Sequence, residues 1–341
     1  GIIATDDYEF GIARIVPAQH WNMAGIIRAS GIRSPFPNLF LFSFSKLALG
    51  IGITDPAMQL KVVLCFIALL TYCMNTYFGF KHFESSNGGS LKGLIFVFLM
   101  AFFFLCPLLY TRPLIETLSA PFVMASAYFA FRYFNDAEKK HLVYATVFLM
   151  MAGMFRYQTG ICAVALVILV LVKRRFRDLI PLVISGAIAI LVSGLLDWQF
   201  KGSLHASFFS YTRYQMSEIS KFGKQPFYVF IALFLGLSLP PVLFHRYRDF
   251  QWKTQYRPLI PALLYFAVFV ISHSFVTHKE ERFMIPVLPI FFILITPLVY
   301  YTCTQSGRWR IYYFVIINFL LLPLASYNVP QNNIIGVARF I

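Results

Sequence analysis

The sequence has little charge and, above all, few acidic side chains. Of its 341 residues, 13% are charged, and 14 Asp and Glu stand against 29 Lys and Arg, whereas 59% are hydrophobic and 18% are aromatic. A water-soluble domain cannot have this composition. The sequence therefore predicts a protein that crosses a membrane several times.

Cysteine is also scarce, and its spacing fits no disulfide, redox or metal-binding pattern. His273 and His278 are five residues apart, a spacing that does not place them on one face of a helix for a metal. We therefore expect no metal site and no required cofactor. Packing is the expected role of the five cysteines, which are Cys65, Cys73, Cys106, Cys162 and Cys303.

The chain lacks a basic low-complexity arm and an internal repeat. Its formal net charge of +15 is explained by loop residues that anchor the chain and attract anionic lipid, so membrane lipids are expected partners and nucleic acid is not. Transporters tend to show repeats and charges near the bilayer midplane. The lack of both argues against a transporter or flippase, which is the alternative from another functional class.

What the chain does contain is a series of long apolar windows rich in Leu, Phe and Ile. Because these windows show no alternation, they favour helices over a β-barrel. A window of about 20 residues crosses a hydrocarbon core of roughly 30 Å. The windows at 142–155 and 160–172 are short and share a polar junction, where we expect a broken or tilted helix. The predicted spans, about ten in number, are 58–78, 91–110, 114–131, 142–155, 160–172, 179–196, 227–244, 258–276, 283–301 and 311–326.

These windows divide the chain into three predicted parts. Residues 1–57 form an extracytoplasmic loop with interfacial helices, residues 58–326 form the multi-helix transmembrane domain, and residues 327–341 form an extracytoplasmic tail. Because the sequence begins at Gly1 and reaches acidic residues at once, we expect a further membrane helix upstream. Within the loop, residues 40–53 are expected to enter the bilayer as a re-entrant segment.

The basic residues predict which loops are cytoplasmic, since Lys and Arg accumulate on that side. Residues 173–177 contain four of them and serve as the anchor of the count. Counting spans from this anchor places the basic loops 81–92, 132–141, 245–257 and 302–310 on the cytoplasmic side as well. The other connections, including residues 278–282, then face the exoplasm.

The most informative stretch is the sequence His-Lys-Glu-Glu-Arg-Phe at residues 278–283, here called the charged motif. It lies between two strongly apolar spans, and such a cluster at the membrane boundary is seldom without a function. The acids Asp6, Asp7 and Glu9 are predicted on the same face. They fit either a solvated helix N-terminus or a general base tuned by partial desolvation.

Further polar residues stand at predicted exoplasmic helix ends. Arg112 and Glu116 are four apart and are expected to share a helix face. Each of these residues alone fits an interfacial anchor. Together they put several cations on the face that carries the acids, as a site that binds a phosphate and activates a hydroxyl requires. The set comprises Arg112, Glu116, Arg156, Gln158, Asp197, Arg213 and Tyr214.

The charged motif matches the His-Lys-Glu-x-Arg-Phe hallmark of glycosyltransferase family 22, and the chain resembles these GT-C mannosyltransferases. Pro286 and Pro289 in the following helix also fit the family. The pair Asp6-Asp7 is similar to its acidic pair in the first extracytoplasmic loop. Weaker similarities are Ile32-Arg33-Ser34, Arg112 through Glu116, Arg156 with Gln158-Thr159, and Arg213-Tyr214.

The resemblance implies a GT-C fold and an inverting transfer of mannose from a polyprenyl-phosphate carrier to a hydroxyl of a lipid-linked glycan or glycolipid. It implies that Asp6 or Asp7 is the general base. Because Thr5 precedes the pair where the family often has proline, the register of the base stays open by one residue. Residues implied to bind substrate are His278, Lys279, Glu280, Arg282, Arg112, Arg156, Arg213 and Tyr214.

The resemblance also assigns roles within this set. His278, Lys279 and Arg282 would bind the carrier phosphate, with Arg112 as a second candidate ligand, so the scheme requires no divalent metal. Glu280 would hold Lys279 or Arg282, or bind sugar hydroxyls. Another polyprenyl-phosphate sugar, such as glucose or aminoarabinose, is the alternative donor. Short loops without an exoplasmic Asn-x-Ser/Thr sequon favour a bacterial cytoplasmic membrane over the endoplasmic reticulum.

Overall fold

The structure, a computed structural model, describes residues 25, 27, 30–85, 89–218, 223–242, 247–305 and 309–327. Every regular element within these residues is a helix, which confirms the predicted all-α fold class. Asp6, Asp7 and Glu9 lie outside the described residues, as do nearly half of the predicted N-terminal loop and nearly all of the predicted tail. The division into three parts and the re-entrant segment stay predictions.

The helices follow one another with short connections. Four 3₁₀ segments, Tyr157–Cys162, Phe176–Asp178, Arg257–Leu259 and Glu281–Val287, precede or join α-helices. In chain order the α-helices of the described residues are α1 (Phe36–Gly50), α2 (Pro56–Ser85), α3 (Gly89–Phe102), α4 (Leu105–Leu109), α5 (Ile115–Asp136), α6 (Lys139–Phe155), α7 (Ala163–Val172), α8 (Leu179–Lys201), α9 (Ala206–Glu218), α10 (Val229–Val242), α11 (Trp252–Tyr256), α12 (Ile260–Ser274), α13 (Leu288–Gln305) and α14 (Trp309–Tyr327).

Length and composition suit a membrane. Within the described residues, four helical segments are long and apolar enough to span one: Met58–Ser85, Phe176–Lys201, Trp252–Ser274 and Glu281–Gln305. The last of these is mostly buried inside the protein, whereas Phe176–Lys201 is mostly exposed. Because the exposed face of α8 is apolar, it suits contact with lipid tails. Shorter apolar helices are Gly89–Phe102, Tyr157–Val172, Val229–Leu239 and Trp309–Ala325.

The predicted span 91–110 is wrong in one respect, because it is two helices rather than one. Helix α3 ends at Phe102 and α4 begins at Leu105. Pro107 explains the break, since its ring clashes with the carbonyl four residues earlier, that of Phe103. The backbone N–H of Phe104, freed by the break, donates to Oδ1 of Asn318 on α14 at 2.8 Å.

The polar junction between the two short windows is a break, as predicted. Helix α6 ends at Phe155, Arg156 is extended with φ −145° and ψ 108°, and the chain then turns into the 3₁₀ segment Tyr157–Cys162. The predicted span 179–196 implied that a loop begins at Asp197. This is wrong, because α8 continues to Lys201. The predicted loop after α8 contains a further helix, α9, which carries Arg213 and Tyr214.

Helix α5 lies at the centre of the core. It packs against α2, α6, α12 and the 3₁₀ segment Glu281–Val287. Small buried residues such as Ala120, Ala125 and Ala130 let neighbouring backbones approach closely, as is usual between membrane helices. Ser126 joins three helices, because its Oγ donates to the carbonyl of Ala145 and lies 2.7 Å from the Tyr265 hydroxyl.

Helices α2 and α3 meet through two glycines that accommodate phenylalanine rings. A Cβ added to Gly79 would come within 2.0 Å of the Phe96 ring, and one added to Gly93 would come within 2.7 Å of the Phe80 ring. Phe96 is fully buried. The contact between these helices therefore requires the absence of a side chain at both positions.

We expect Gly79→Ala to destabilise the fold by about 1–3 kcal/mol, because the added methyl group overpacks the contact with Phe96. The measurement is thermal unfolding of the purified protein in detergent. Gly236→Ala on α10 is the matched control, since a Cβ there meets no atom within 4 Å and alanine favours a helix. Equal midpoints for the two variants would contradict this account.

Candidate functional site

The charged motif lies where α12 ends and the next span begins. After Ser274 the chain turns, Glu280 is extended with φ −130° and ψ 142°, and the 3₁₀ segment Glu281–Val287 follows. The Phe283 N–H donates to the carbonyl of Glu280 at 3.0 Å, which tightens the start of this segment. Because the segment packs against α5, the motif is held against the centre of the core.

Glu280 joins two of the basic side chains of the motif. Its Oε1 lies 2.8 Å from Nε2 of His278, and its Oε2 pairs with Nε of Arg282. All three side chains are partly exposed. The carboxylate therefore keeps an imidazole and a guanidinium close together at an accessible surface, and it contacts Arg282, one of the roles predicted for it.

Lys279 occupies a different environment, because it is 3% exposed. Its Nζ donates to the backbone carbonyls of Val276 and Gln225, at 2.6 and 3.1 Å. The N–H of Gln225 also donates to the carbonyl of Thr277. Burial lowers the pKa of the Lys279 ammonium. The two carbonyls carry no net charge, so they orient this ammonium without neutralising it.

A buried ion pair packs against the last residue of the motif. Arg156 and Glu116, whose side chains are 2% and 5% exposed, form a salt bridge through Nη1 and Oε1. The Arg156 guanidinium also lies 4.8 Å from the centre of the Phe283 ring, and that of Arg282 lies 5.9 Å from it. Cation–π attraction thus connects the first turn of α5 and the end of α6 to the last residue of the motif.

Arg156 was predicted to bind substrate, and the structure places its guanidinium inside the protein against Glu116 and Phe283. Its Nε atom is buried and has no hydrogen-bond partner among the described residues. Glu116 was noted in the sequence, but its partner was not foreseen. The sequence did contain an indication of this pair, because Arg156 and Glu116 each lie next to an apolar span, where a buried charge needs a partner of opposite charge.

The expectation that Arg112 and Glu116 share a helix face is wrong. Helix α5 begins at Ile115, after Leu114 in an extended conformation, so Arg112 lies in the preceding turn. Pro113 explains this, because a proline disfavours helical backbone at the residue before it. The Nε of Arg112 donates to the carbonyl of Leu108 at 3.3 Å, and the side chain is partly exposed.

Asp197 and α9 form a second polar cluster. The buried Asp197 accepts hydrogen bonds from both the N–H and the Oγ of Ser207, each at 2.7 Å, and so fixes the start of α9 to α8. Lys201 donates to the carbonyls of Gly31 and Arg33, at 2.8 and 2.7 Å, which ties the segment before α1 to the same end of the protein.

Arg213 and Tyr214 are exposed on α9. They line a cavity of about 520 Å³ together with serines and Ile32, and no residue of the charged motif lines it. The structure therefore brings His278, Lys279, Glu280 and Arg282 together, with Arg156 behind them, whereas Arg213 and Tyr214 belong to another pocket. Within the described ranges, no group of three or more His, Cys, Asp or Glu could hold a metal ion.

The family model for the Alg9-like mannosyltransferases matches residues 28–337. The chain belongs to this family. The match includes the whole charged motif, Arg112 and Arg156, and it confirms the resemblance predicted from the motif. Among curated proteins, none matched this Alg9-like chain.

Two solved structures share the fold of this Alg9-like chain. ArnT from Cupriavidus metallidurans bound to undecaprenyl phosphate has a TM-score of 0.64 at 11% sequence identity, covering 92% of this chain and 58% of ArnT. The same protein in the apo state gives 0.56 at 13% identity, covering 94% and 58%. The likeness confirms the predicted GT-C fold. The chain spans a little over half the length of ArnT.

We expect Arg156→Ala to destabilise the protein by about 3–5 kcal/mol, because it leaves the Glu116 carboxylate buried without its partner. The measurement is the free energy of unfolding in detergent. Lys81→Ala is the matched control, since Lys81 forms an exposed pair with Glu84 at 2.6 Å and such pairs contribute about 0–1 kcal/mol. Equal losses in the two variants would show that the Arg156 pair has no special weight.

Proposed function

We propose that this chain belongs to an inverting transferase that moves mannose from a polyprenyl-phosphate carrier to an acceptor hydroxyl on a lipid-linked glycan or glycolipid. The observation behind the proposal is the arrangement of the charged motif, in which His278 and Arg282 share the Glu280 carboxylate and Lys279, between them in the chain, is held by two backbone carbonyls. Membership in the Alg9-like family supports mannose as the sugar. The fold shared with an undecaprenyl phosphate-bound ArnT supports the carrier.

The reaction requires the protein to stabilise negative charge on the leaving phosphate. When the sugar leaves its carrier, the bridging oxygen becomes part of a phosphate with a second charge. Preorganised cations in a partly dry site stabilise that charge as it develops. Two neutral carbonyls accept hydrogen bonds from the buried Lys279 ammonium and fix its position. Arg282 and His278 share Glu280, so the carrier phosphate would compete with this carboxylate for them.

The acceptor needs a base. A carboxylate removes the hydroxyl proton as the oxygen attacks the anomeric carbon from the side opposite the phosphate, which inverts the configuration. Asp6 or Asp7 is the proposed base, and both lie outside the described residues. Because the cations can take the charge of the leaving group, the scheme needs no metal or other cofactor.

The contacts at the two ends of α5 support one orientation. Near its C-terminal end, Tyr133 donates to the buried Asp178 at 2.8 Å, and Arg175 pairs with the same carboxylate at 3.0 Å. This end contains the basic loop 173–177, which favours the cytoplasm. Glu116, at the other end of the helix, meets Arg156 and through it the charged motif. These contacts favour an exoplasmic site, and the short loops without an exoplasmic sequon favour a bacterial cytoplasmic membrane.

Transfer assays with synthetic donors test this function in membranes that contain the full-length protein. We expect either Asp6→Asn or Asp7→Asn to lower kcat by about 10²–10⁴, the usual contribution of a general base, with donor binding kept.

Lys279→Ala should raise the donor KM about tenfold, equivalent to about 1.4 kcal/mol of phosphate binding. The measurement compares polyprenyl-phosphate mannose with the glucose and aminoarabinose donors.

Lys253→Ala, at an exposed lysine on α11, is the matched control and should keep full activity. Full activity in both aspartate variants would overturn the mechanism. Turnover with glucose or aminoarabinose alone would replace mannose by that sugar and leave the rest of the scheme standing.

A further inference from the structure

An apolar cavity of about 520 Å³ lies between α6, α7, α8 and α9, and no residue of the charged motif lines it. Glycines form part of its walls: Gly153 on α6, Gly160 in the 3₁₀ segment and Gly186 on α8. A Cβ added to any of the three would meet no atom within 4 Å. These glycines therefore face open space, in contrast to Gly79 and Gly93, whose space is filled by phenylalanine rings.

A polar pocket adjoins this cavity. Phe209 on α9 lines both spaces. The polar pocket, also about 520 Å³, is lined by Arg213 and Tyr214 and by Ser203, Ser210 and Ser217. Hydroxyl, guanidinium and phenol groups can donate to or accept from sugar hydroxyls. An apolar space that shares a wall with such a pocket fits an amphipathic molecule with one apolar chain and a glycan head.

The junction at Arg156 separates this region from the charged motif. Arg156 is extended, and successive side chains of an extended backbone point to opposite sides. The Arg156 guanidinium contacts Phe283 of the motif, whereas Tyr157 lines the apolar cavity and its ring lies 5.7 Å from that of Phe208. The motif and the cavity thus flank one short piece of backbone.

A separate apolar surface lies beside the motif. Phe227 and Phe275, 45% and 74% exposed, are in ring contact at 5.1 Å. They flank the segments whose carbonyls, at Gln225 and Val276, hold Lys279. A carrier whose phosphate is bound by the motif therefore finds an apolar path for its own chain on this side. The cavity at α6 and α8 is left for the second lipid substrate.

Resting on the function proposed above, we propose that the cavity between α6, α7, α8 and α9 binds the apolar chain of the acceptor glycolipid, whose glycan head occupies the pocket of Arg213 and Tyr214. The volume falls within the range of about 300–1,000 Å³ typical of small-molecule sites. The head then lies on one side of the Arg156 junction and the donor phosphate on the other. This arrangement gives the two lipid substrates separate entries from the bilayer.

Filling the cavity tests the proposal. Gly186→Leu and Gly153→Leu place side chains in the open space, and Gly236→Leu on α10, another glycine with open surroundings, is the matched control outside it. Dodecyl α-mannoside serves as the chain-bearing acceptor and methyl α-mannoside as the acceptor without a chain. We expect both cavity variants to raise the KM for dodecyl mannoside at least tenfold, with the donor KM within twofold of wild type.

Methyl mannoside separates loss of the chain site from loss of the fold. Its turnover should be the same in Gly186→Leu, Gly153→Leu, Gly236→Leu and the wild type. Unchanged KM values for dodecyl mannoside in both cavity variants would overturn the inference while leaving the proposed transfer intact. An equal rise in the Gly236→Leu control would overturn it as well.

A binding measurement stands apart from catalysis. Dodecyl α-mannoside carrying a diazirine in its chain should label peptides of α6 and α8 in the wild type and in Gly236→Leu, and much less in Gly186→Leu. This result is expected even if no donor supports transfer, so failure of the proposed function is recognised separately. Equal labelling in all three proteins would identify annular lipid only, and labelling confined to Phe227 and Phe275 would assign the chain to the other surface. Either outcome contradicts the inference.

Discussion

The Arg156–Glu116 ion pair is the interaction on which the rest of the candidate site depends. It joins the break after α6 to the first turn of α5 in a nearly dry environment. Isolated charges there would carry a large desolvation cost, which a well-placed partner offsets. Since Arg156 also contacts Phe283, the pair fixes the end of the charged motif, where the chain enters the next span. Its value lies in position more than in net stability.

The remainder of the site follows from this fixed point. The 3₁₀ segment Glu281–Val287 lies against α5, and the residues before it turn after the end of α12 until Glu280 becomes extended. That geometry buries Lys279 beside the carbonyls of Gln225 and Val276 and leaves His278 and Arg282 partly exposed around Glu280. A phosphate that approaches from outside meets cations that are already oriented, which is the condition for electrostatic catalysis.

Sequence patterns predicted most of this architecture, for identifiable reasons. Apolar windows located the helices, because every backbone polar group in a bilayer needs an internal partner. The charged motif stood out because five ionisable residues interrupt two such windows. The break at Phe103 was not predicted, although Pro107 was visible, because a proline can either kink a helix or end it. Here the break is favoured by Asn318, a residue distant in sequence that accepts a hydrogen bond from the freed N–H of Phe104. The partner of Glu116 was missed for the same reason, because Arg156 is forty positions away.

The sequence alone also could not show that the predicted site residues belong to two separate sites. Arg213 looked like a further ligand of one site, but α9 places it with Tyr214 in a pocket that shares a wall with an apolar cavity. The helix itself was hidden, because its sequence is polar enough to pass for a loop. Asp197 holds it in place through Ser207, a contact that short-range patterns do not reveal.

In the proposed mechanism the charged motif holds the phosphate of a polyprenyl carrier. Solid-state NMR can measure it directly, through the dipolar coupling between the phosphorus of undecaprenyl phosphate and the side-chain nitrogens of protein labelled with ¹⁵N lysine and arginine. We expect coupling to one lysine and one arginine, with the lysine signal lost in Lys279→Met and the arginine signal lost in Arg282→Gln. Phosphate coupling that survives in both variants, or that is absent from the wild type with the lipid bound, would contradict it.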